Sequence, residues 1–196
     1  MLDRSWCYDL SQRLAGRSGS LRLFVERYLR PVPGERLLDL GCGTGAILEF
    51  LPRVEYHGID SNPRYLESAG RKYGSRGAFV RADLGDARWP VNGPFDRALA
   101  AGLLHHLPDA EALRVLEQAR ALLKRGGTLV SIDGCYEDGQ SPVARALLSM
   151  DRGRFVRRQA EYEALARRVF KRLSSHVERN LLRLPYTHLI MEMAVE

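Results

Sequence analysis

The stretch Arg36 to Gly45, R-L-L-D-L-G-C-G-T-G, constrains the fold more than any other part of the chain. Leu37 to Leu40 is a short apolar run with one acid, Asp39, inside it. Gly41, Gly43 and Gly45 then alternate, and Ala46 to Leu51 reads as a helix. A buried strand that ends in glycines and opens into a helix makes a tight turn. Its backbone can approach a ligand closely because no Cβ intervenes. The helix N-terminus that follows offers unpaired N–H groups to the same ligand.

Dinucleotide-binding folds use a glycine turn too, so two further features matter. Asp39 lies two residues before the first glycine, where a nicotinamide fingerprint keeps an apolar strand residue. A carboxylate there suits a ligand with a positive end. Val54 to Asp60, V-E-Y-H-G-I-D, reads as a second strand that ends on an acid. Such an acid can accept both hydroxyls of a ribose.

L-L-D-L-G-C-G-T-G resembles motif I of the class I S-adenosylmethionine (SAM) dependent methyltransferases. The similarity continues in order through Asp60, R-A-D-L at Arg81 to Leu84, F-D-R-A-L-A-A-G-L-L-H-H-L at Phe95 to Leu107 and L-L-K-R-G-G-T-L-V at Leu122 to Val130. It covers roughly residues 33–135. The resemblance implies SAM as cofactor and S-adenosylhomocysteine (SAH) as product. It places Gly41, Cys42, Gly43 and Gly45 beside the methionine part of SAM, with Asp39 near its ammonium end. It gives the ribose hydroxyls to Asp60, with Ser61 and Asn62 flanking the adenosine. Asp83 then meets the adenine amino group, and Leu84 gives a backbone contact. Ala100 and Ala101 end the fourth strand at the floor of the cofactor pocket.

Methyl transfer is a displacement at a carbon on a positively charged sulfur, so the protein mainly orients the reactants. A base is needed only when the nucleophile carries a proton it cannot lose unaided. His105 and His106 are the candidate bases, and His105 stands nearer the strand end. A packing or cofactor-contact role is the competing reading. No Asn-Pro-Pro-Tyr type motif follows the fourth strand, which argues against the amino-methylating enzymes of nucleic-acid bases that carry it.

The motifs set a doubly wound, mostly parallel α/β sheet of seven strands with a reversed C-terminal hairpin and helices on both faces. The expected organisation is a single domain: a helical cap over residues 1–32, a SAM-binding core over 33–135, a substrate lid over 136–172 and a closing hairpin over 173–196. The cap reads as two helices interrupted at Gly16-Arg17-Ser18-Gly19, with Ser20 capping the second. Trp6, Tyr8 and Arg13 are either pocket or packing residues. Helices are expected at Pro63 to Tyr73, Pro108 to Lys124 (ended by Gly126-Gly127), Pro142 to Met150 and Gln159 to Phe170. Strands are expected at Ala78 to Arg81, Asp96 to Ala101, Thr128 to Asp133, Leu173 to Leu184 and Thr187 to Val195.

The charge pattern bears on the acceptor. Of a formal net charge of +6, the segment from Ser141 to Arg183 carries eleven arginines and lysines against four acids, a surplus of seven. That segment leaves the edge of the sheet where ligands of open α/β folds bind. Tyr136, Arg154, Arg157 and Arg158 are therefore candidate substrate residues, with Tyr186 and His188 behind them. An anionic acceptor is one expectation; a solvated basic face is the other.

The composition is that of a water-soluble domain, and no stretch has the length of a membrane span. The N-terminus has no signal-peptide core, and Cys7, Cys42 and Cys135 form neither a disulfide framework nor a zinc site. A reducing cytoplasm is the expectation, with no metal. The leading expectation is a methyltransferase for a small or lipid-linked acceptor. An RNA or protein methyltransferase, a non-catalytic SAM-binding protein and a nicotinamide oxidoreductase are the competitors. Against the first stands the lack of a basic patch interleaved with aromatics. The oligomeric state, the acceptor and the atom methylated are not encoded in any motif.

Overall fold

Alternation along buried strands decides the layers of this molecule. The computed structural model describes residues 17–150, 153–179, 181, 182 and 184–196. Strands β1 (Arg36–Leu40), β2 (Glu55–Asp60), β3 (Gly77–Arg81), β4 (Phe95–Ala101) and β5 (Leu123–Tyr136) pair in parallel in the order β3-β2-β1-β4-β5. A two-residue strand β6 (Arg157–Arg158) pairs with the end of β5. The hairpin β7 (Arg172–Glu178) and β8 (His188–Ala194) closes the sheet, with β8 antiparallel to both β5 and β7. The reversed hairpin expected from the sequence is thus present.

Successive side chains of a strand point to opposite faces. Leu37, Leu99, Val130 and Ile190 enter one core, and Leu38, Ala98, Leu129 and Met191 enter the other. Helix α1 (Arg17–Phe24) runs on into a π-helical turn, Val25–Leu29, which buries Val25, Tyr28 and Leu29 in the first core. Helix α2 (Pro63–Tyr73) covers the same face with Leu66 and Tyr73. It starts at Pro63 because a fixed φ suits the first helical position, and the Asn62 side chain accepts the Arg64 N–H at 3.0 Å. Helix α3 (Asp109–Leu122) covers the second face. Helix α4 (Pro142–Met150) follows β5, and α5 (Gln159–Arg167) joins α3 on the second face through Tyr162, Leu165 and Ala166.

Four expectations need correction. Residues 17–19 are helical, so the expected break is absent there, and Ser20 lies buried inside α1 rather than at its start. Burial of Phe24 and the turn beyond it outweighs the roughly 1 kcal/mol that a helical glycine costs. The helix after the glycine turn is only a 3-10 turn, Ala46–Glu49, too short to act as a helix dipole. Gly126 and Gly127 lie inside β5 and not at a helix end. The β4–β5 register shifts there, from Phe95↔Leu123 to Arg97↔Thr128. A Cβ on Gly127 would fall 2.9 Å from the Lys124 carbonyl oxygen, so the bulge needs glycine. Strand β7 ends at Glu178, well short of Leu184. Trp6, Tyr8 and Arg13 lie outside the described residues.

Candidate active site

The strand order reverses between β1 and β4, and in open α/β sheets the crevice at that point binds ligands. A cleft of about 870 Å³ opens there. It runs from the end of β2 and α2, past β1 and β4, to the end of β5, α4 and the start of β8.

The glycine turn forms part of the cleft floor. Gly41, Gly43 and Gly45 all have positive φ, at 73°, 55° and 71°. The Gly41 and Cys42 N–H groups both donate to the Ile59 carbonyl at 2.9 Å. Asp60 then locks the turn: its carboxylate accepts the Gly43 N–H at 2.9 Å and the Asn62 N–H at 2.8 Å. A Cβ on Gly45 would press against the rings of Phe79 and Tyr73 at 3.2 and 3.3 Å. The carboxylate at the end of β2 thus shapes the loop and also lines the cleft.

Asp39 is buried on the cleft wall, and the Tyr56 hydroxyl donates to it at 2.5 Å. Burial and then the Asp39 charge hold the Tyr56 phenol well above its ordinary range, so it remains a donor. The same two influences, with Asp60, push the Cys42 thiol above the usual thiol range. Cys42 thus keeps its proton, and it lines the cleft with Gly41 and Gly43.

At the other end stands a pair that sequence reading found only in half. His105 is buried in a 3-10 turn, Leu104–His106, just past β4. Its Nδ1 lies 2.8 Å from Asp133 Oδ1, and its backbone N–H donates to the same oxygen at 3.2 Å. Asp133 is buried near the end of β5, and its Oδ2 has no hydrogen-bond partner among the described residues. In the tautomer with Nδ1 protonated, Nδ1 donates to Asp133 and Nε2 is the basic nitrogen. Gly153 packs on the ring; a Cβ there would sit 2.1 Å from Cδ2. The ring of His106 lies 4.1 Å from that of His105, centroid to centroid, and both histidines line the cleft.

Several expected site residues stand elsewhere. Ala101 lines the cleft, but Ala100, one step along β4, points into the opposite core. Ser61 and Asn62 are not among the cleft walls, and the Asn62 side chain is engaged as the α2 cap. The next turns of that helix supply Tyr65, Ser68 and Lys72 instead. Their i, i+3, i+7 spacing was the available signal. Asp83 is exposed, with its carboxylate accepting the Gly85 N–H at 2.8 Å, and Leu84 is buried in the core. Neither lines the cleft.

The arginine lid is the largest correction. Arg157 is buried: its guanidinium donates to the carbonyls of Leu104, Leu107 and Phe155 and pairs with Asp109 at 2.8 Å. Arg158 is exposed and pairs with Asp138 at 2.7 Å. Arg154 is exposed and off the cleft walls. Tyr136 is likewise off them, with the Arg145 guanidinium 5.8 Å above its ring. Helix α4 does reach the cleft, through Leu147 and Met150, as do Tyr186 and His188.

Sheet order, glycine turn and acid-ended β2 together define the fold of a class I SAM-dependent methyltransferase. Residues 37–127 match the family described as "Methyltransferase domain". The trans-aconitate 2-methyltransferase of Pseudomonas aeruginosa is 38% identical over 101 residues, which is 50% of this chain and 35% of that protein. The ubiquinone biosynthesis O-methyltransferase of Xanthomonas campestris is 29% identical over 136 residues, 66% of this chain and 55% of that one. The chain thus matches about a third to a half of the length of these relatives. The plantazolicin methyltransferase BpumL, solved in complex with SAH, superposes with a TM-score of 0.72 at 16% identity, over 98% of this chain and 89% of that chain. Among the described residues no helix is long and apolar enough to cross a membrane.

Proposed function

We propose that the chain transfers a methyl group from SAM to a small-molecule acceptor with an ionisable O–H or N–H, and that His105 takes the proton. The observation that carries this reading is the buried His105–Asp133 pair on the wall of the cleft that also holds the glycine turn and Asp60. Bound SAM supplies a methyl group on a sulfonium, a leaving group that departs as a neutral thioether. Asp60 is assigned to the ribose hydroxyls through the lone pairs its two backbone bonds leave open. Asp39, held by Tyr56, is assigned to the ammonium end. Asp133 keeps Nδ1 protonated and the ring fixed, so Nε2 receives the proton that the nucleophile loses. Relatives named for small-molecule methylation support the acceptor class.

Thermal unfolding with candidate cofactors tests the binding half of this reading. SAM and SAH should raise the melting temperature by mass action, while NAD should not. Asp60→Ala should weaken SAH binding by about 1.5–3 kcal/mol, the worth of a hydrogen bond to a charged group. Stabilisation by NAD with none by SAM would overturn the assignment.

A further inference from the structure

The family match ends at residue 127, and most of the walls of the cleft's far end come from beyond it, with Leu103 and His105 from within it. That end is built by β5, α4 and the β7–β8 connection. From β2 to β8 the cleft crosses four strand spacings, on the order of 19 Å. The glycine turn and Asp60 occupy the first part of that span, so the second part is left for the acceptor.

Apolar side chains form one part of its walls, beside Asp133, Tyr186 and His188. Leu103, Leu147, Met150, Leu182 and Leu184 line it beside His105. Met150 is 78% exposed and Leu184 47%, so two large apolar side chains that line the cleft are left partly in water. Single exposed apolar side chains are ordinary, but here they line the same cleft, where ligand pockets are predominantly apolar. The charge points the same way. Asp39, Glu49, Asp60 and Asp133 line the cleft, whereas the one lysine among the described walls, Lys72, is paired with Glu49 at 2.6 Å. No described arginine lines it. An anionic acceptor would meet the Asp133 carboxylate at that end.

We infer that the acceptor is a neutral molecule with an apolar body and a phenol-type hydroxyl, its body seated on Leu147, Met150 and Leu184 and its hydroxyl delivered to His105. The inference rests on the methyltransferase reading above. The hydroxyl follows from the base: an imidazole removes a proton from a phenol, with an ordinary pKa of about 10, far less uphill than from an alkanol. The hydroxyl oxygen forms the new bond to the methyl carbon, the carbon–sulfur bond breaks, and the hydroxyl proton goes to His105.

A series of 4-alkylphenols with tails of one to six carbons tests this, titrated into SAH-saturated protein and assayed with SAM. Dissociation constants and KM should fall about four-fold per added methylene, which is ~0.8 kcal/mol per buried CH₂. Met150→Asp and Leu184→Asp, both at exposed positions, should flatten that dependence while the Kd of SAH stays unchanged. Affinity independent of tail length, a dependence that survives both substitutions, or tighter binding of benzoates and tricarboxylates than of alkylphenols would overturn the inference. Failure of SAH itself to bind would instead strike the methyltransferase reading beneath it.

Discussion

At the scale of single residues the cleft depends on carboxylates that hold other groups in place. Asp60 bonds two backbone N–H groups of the turn, Asp39 is held by Tyr56, and Asp133 orients His105. Asp133→Asn keeps the shape but removes the charge that stabilises an imidazolium forming during proton transfer. Its expected effect is a loss in kcat approaching the roughly 10²–10⁴-fold that a positioned base contributes, with the Kd of SAH near wild type. Steady-state kinetics beside a calorimetric titration separates the two. Equal losses in kcat and SAH affinity would make Asp133 a fold residue only. Asp133 was missed in the sequence because its partner lies 28 positions earlier, on a turn after another strand. No local spacing encodes a contact that the parallel β4–β5 register creates.

At the scale of elements, β6 and the turn after β4 are one unit, and Arg157 is its pin. The guanidinium binds the carbonyls of Leu104 and Leu107, which bracket His105 and His106, and the Phe155 N–H donates to the His105 carbonyl at 2.9 Å. Arg157→Met leaves these carbonyls without their donor, at about 1–3 kcal/mol for each that stays buried. The exposed Asp109 adds little to this. Chemical denaturation should show the loss of stability. Kinetics on the folded variant should show kcat reduced more than SAH affinity, because the turn bearing His105 loosens while the glycine turn does not. An unchanged urea midpoint would contradict this account of Arg157.

Strands β1 to β4 were legible to within a residue because apolar runs bounded by glycine, proline and acid leave little choice, whereas β5 begins five residues before the expected Thr128, through a glycine bulge that reads as a helix end. The glycine turn, Asp39 and Asp60 were legible for the same reason: their chemistry is local in sequence. Ala100 and Ala101 show the limit, since a one-residue step along a strand exchanges core for cleft. The arginine-rich segment shows it more strongly. Sequence counts its charge along the chain, whereas Arg157, Arg158, Arg179 and Lys171 find Asp109, Asp138, Glu137 and Glu196 across space, all outside the stretch in which the surplus was counted.

At the scale of the whole molecule this pairing makes stability sensitive to acid. Bonds from Lys124 and the Arg36 N–H hold the Asp96 carboxyl below its usual range. Arg179 does the same for Glu137, and Ser175 for Glu163. Each binds fewer protons folded than unfolded, so its contribution is complete above the ordinary carboxyl range. It is lost as pH falls through the lowered folded value. Urea midpoints should therefore drop below about pH 4.5, and Asp96→Asn should lessen that drop; an acid loss unchanged by the substitution would refute the linkage. Methyl transfer from this cleft is tested most directly with SAM carrying a labelled methyl group, incubated with an alkylphenol and either wild-type protein or His105→Ala. Label should pass to the phenol oxygen with the wild type and slow by roughly 10²–10⁴-fold in the variant while the Kd of SAH stays unchanged. Transfer at the wild-type rate by His105→Ala, or label that stays on SAM with wild-type protein, would contradict the mechanism.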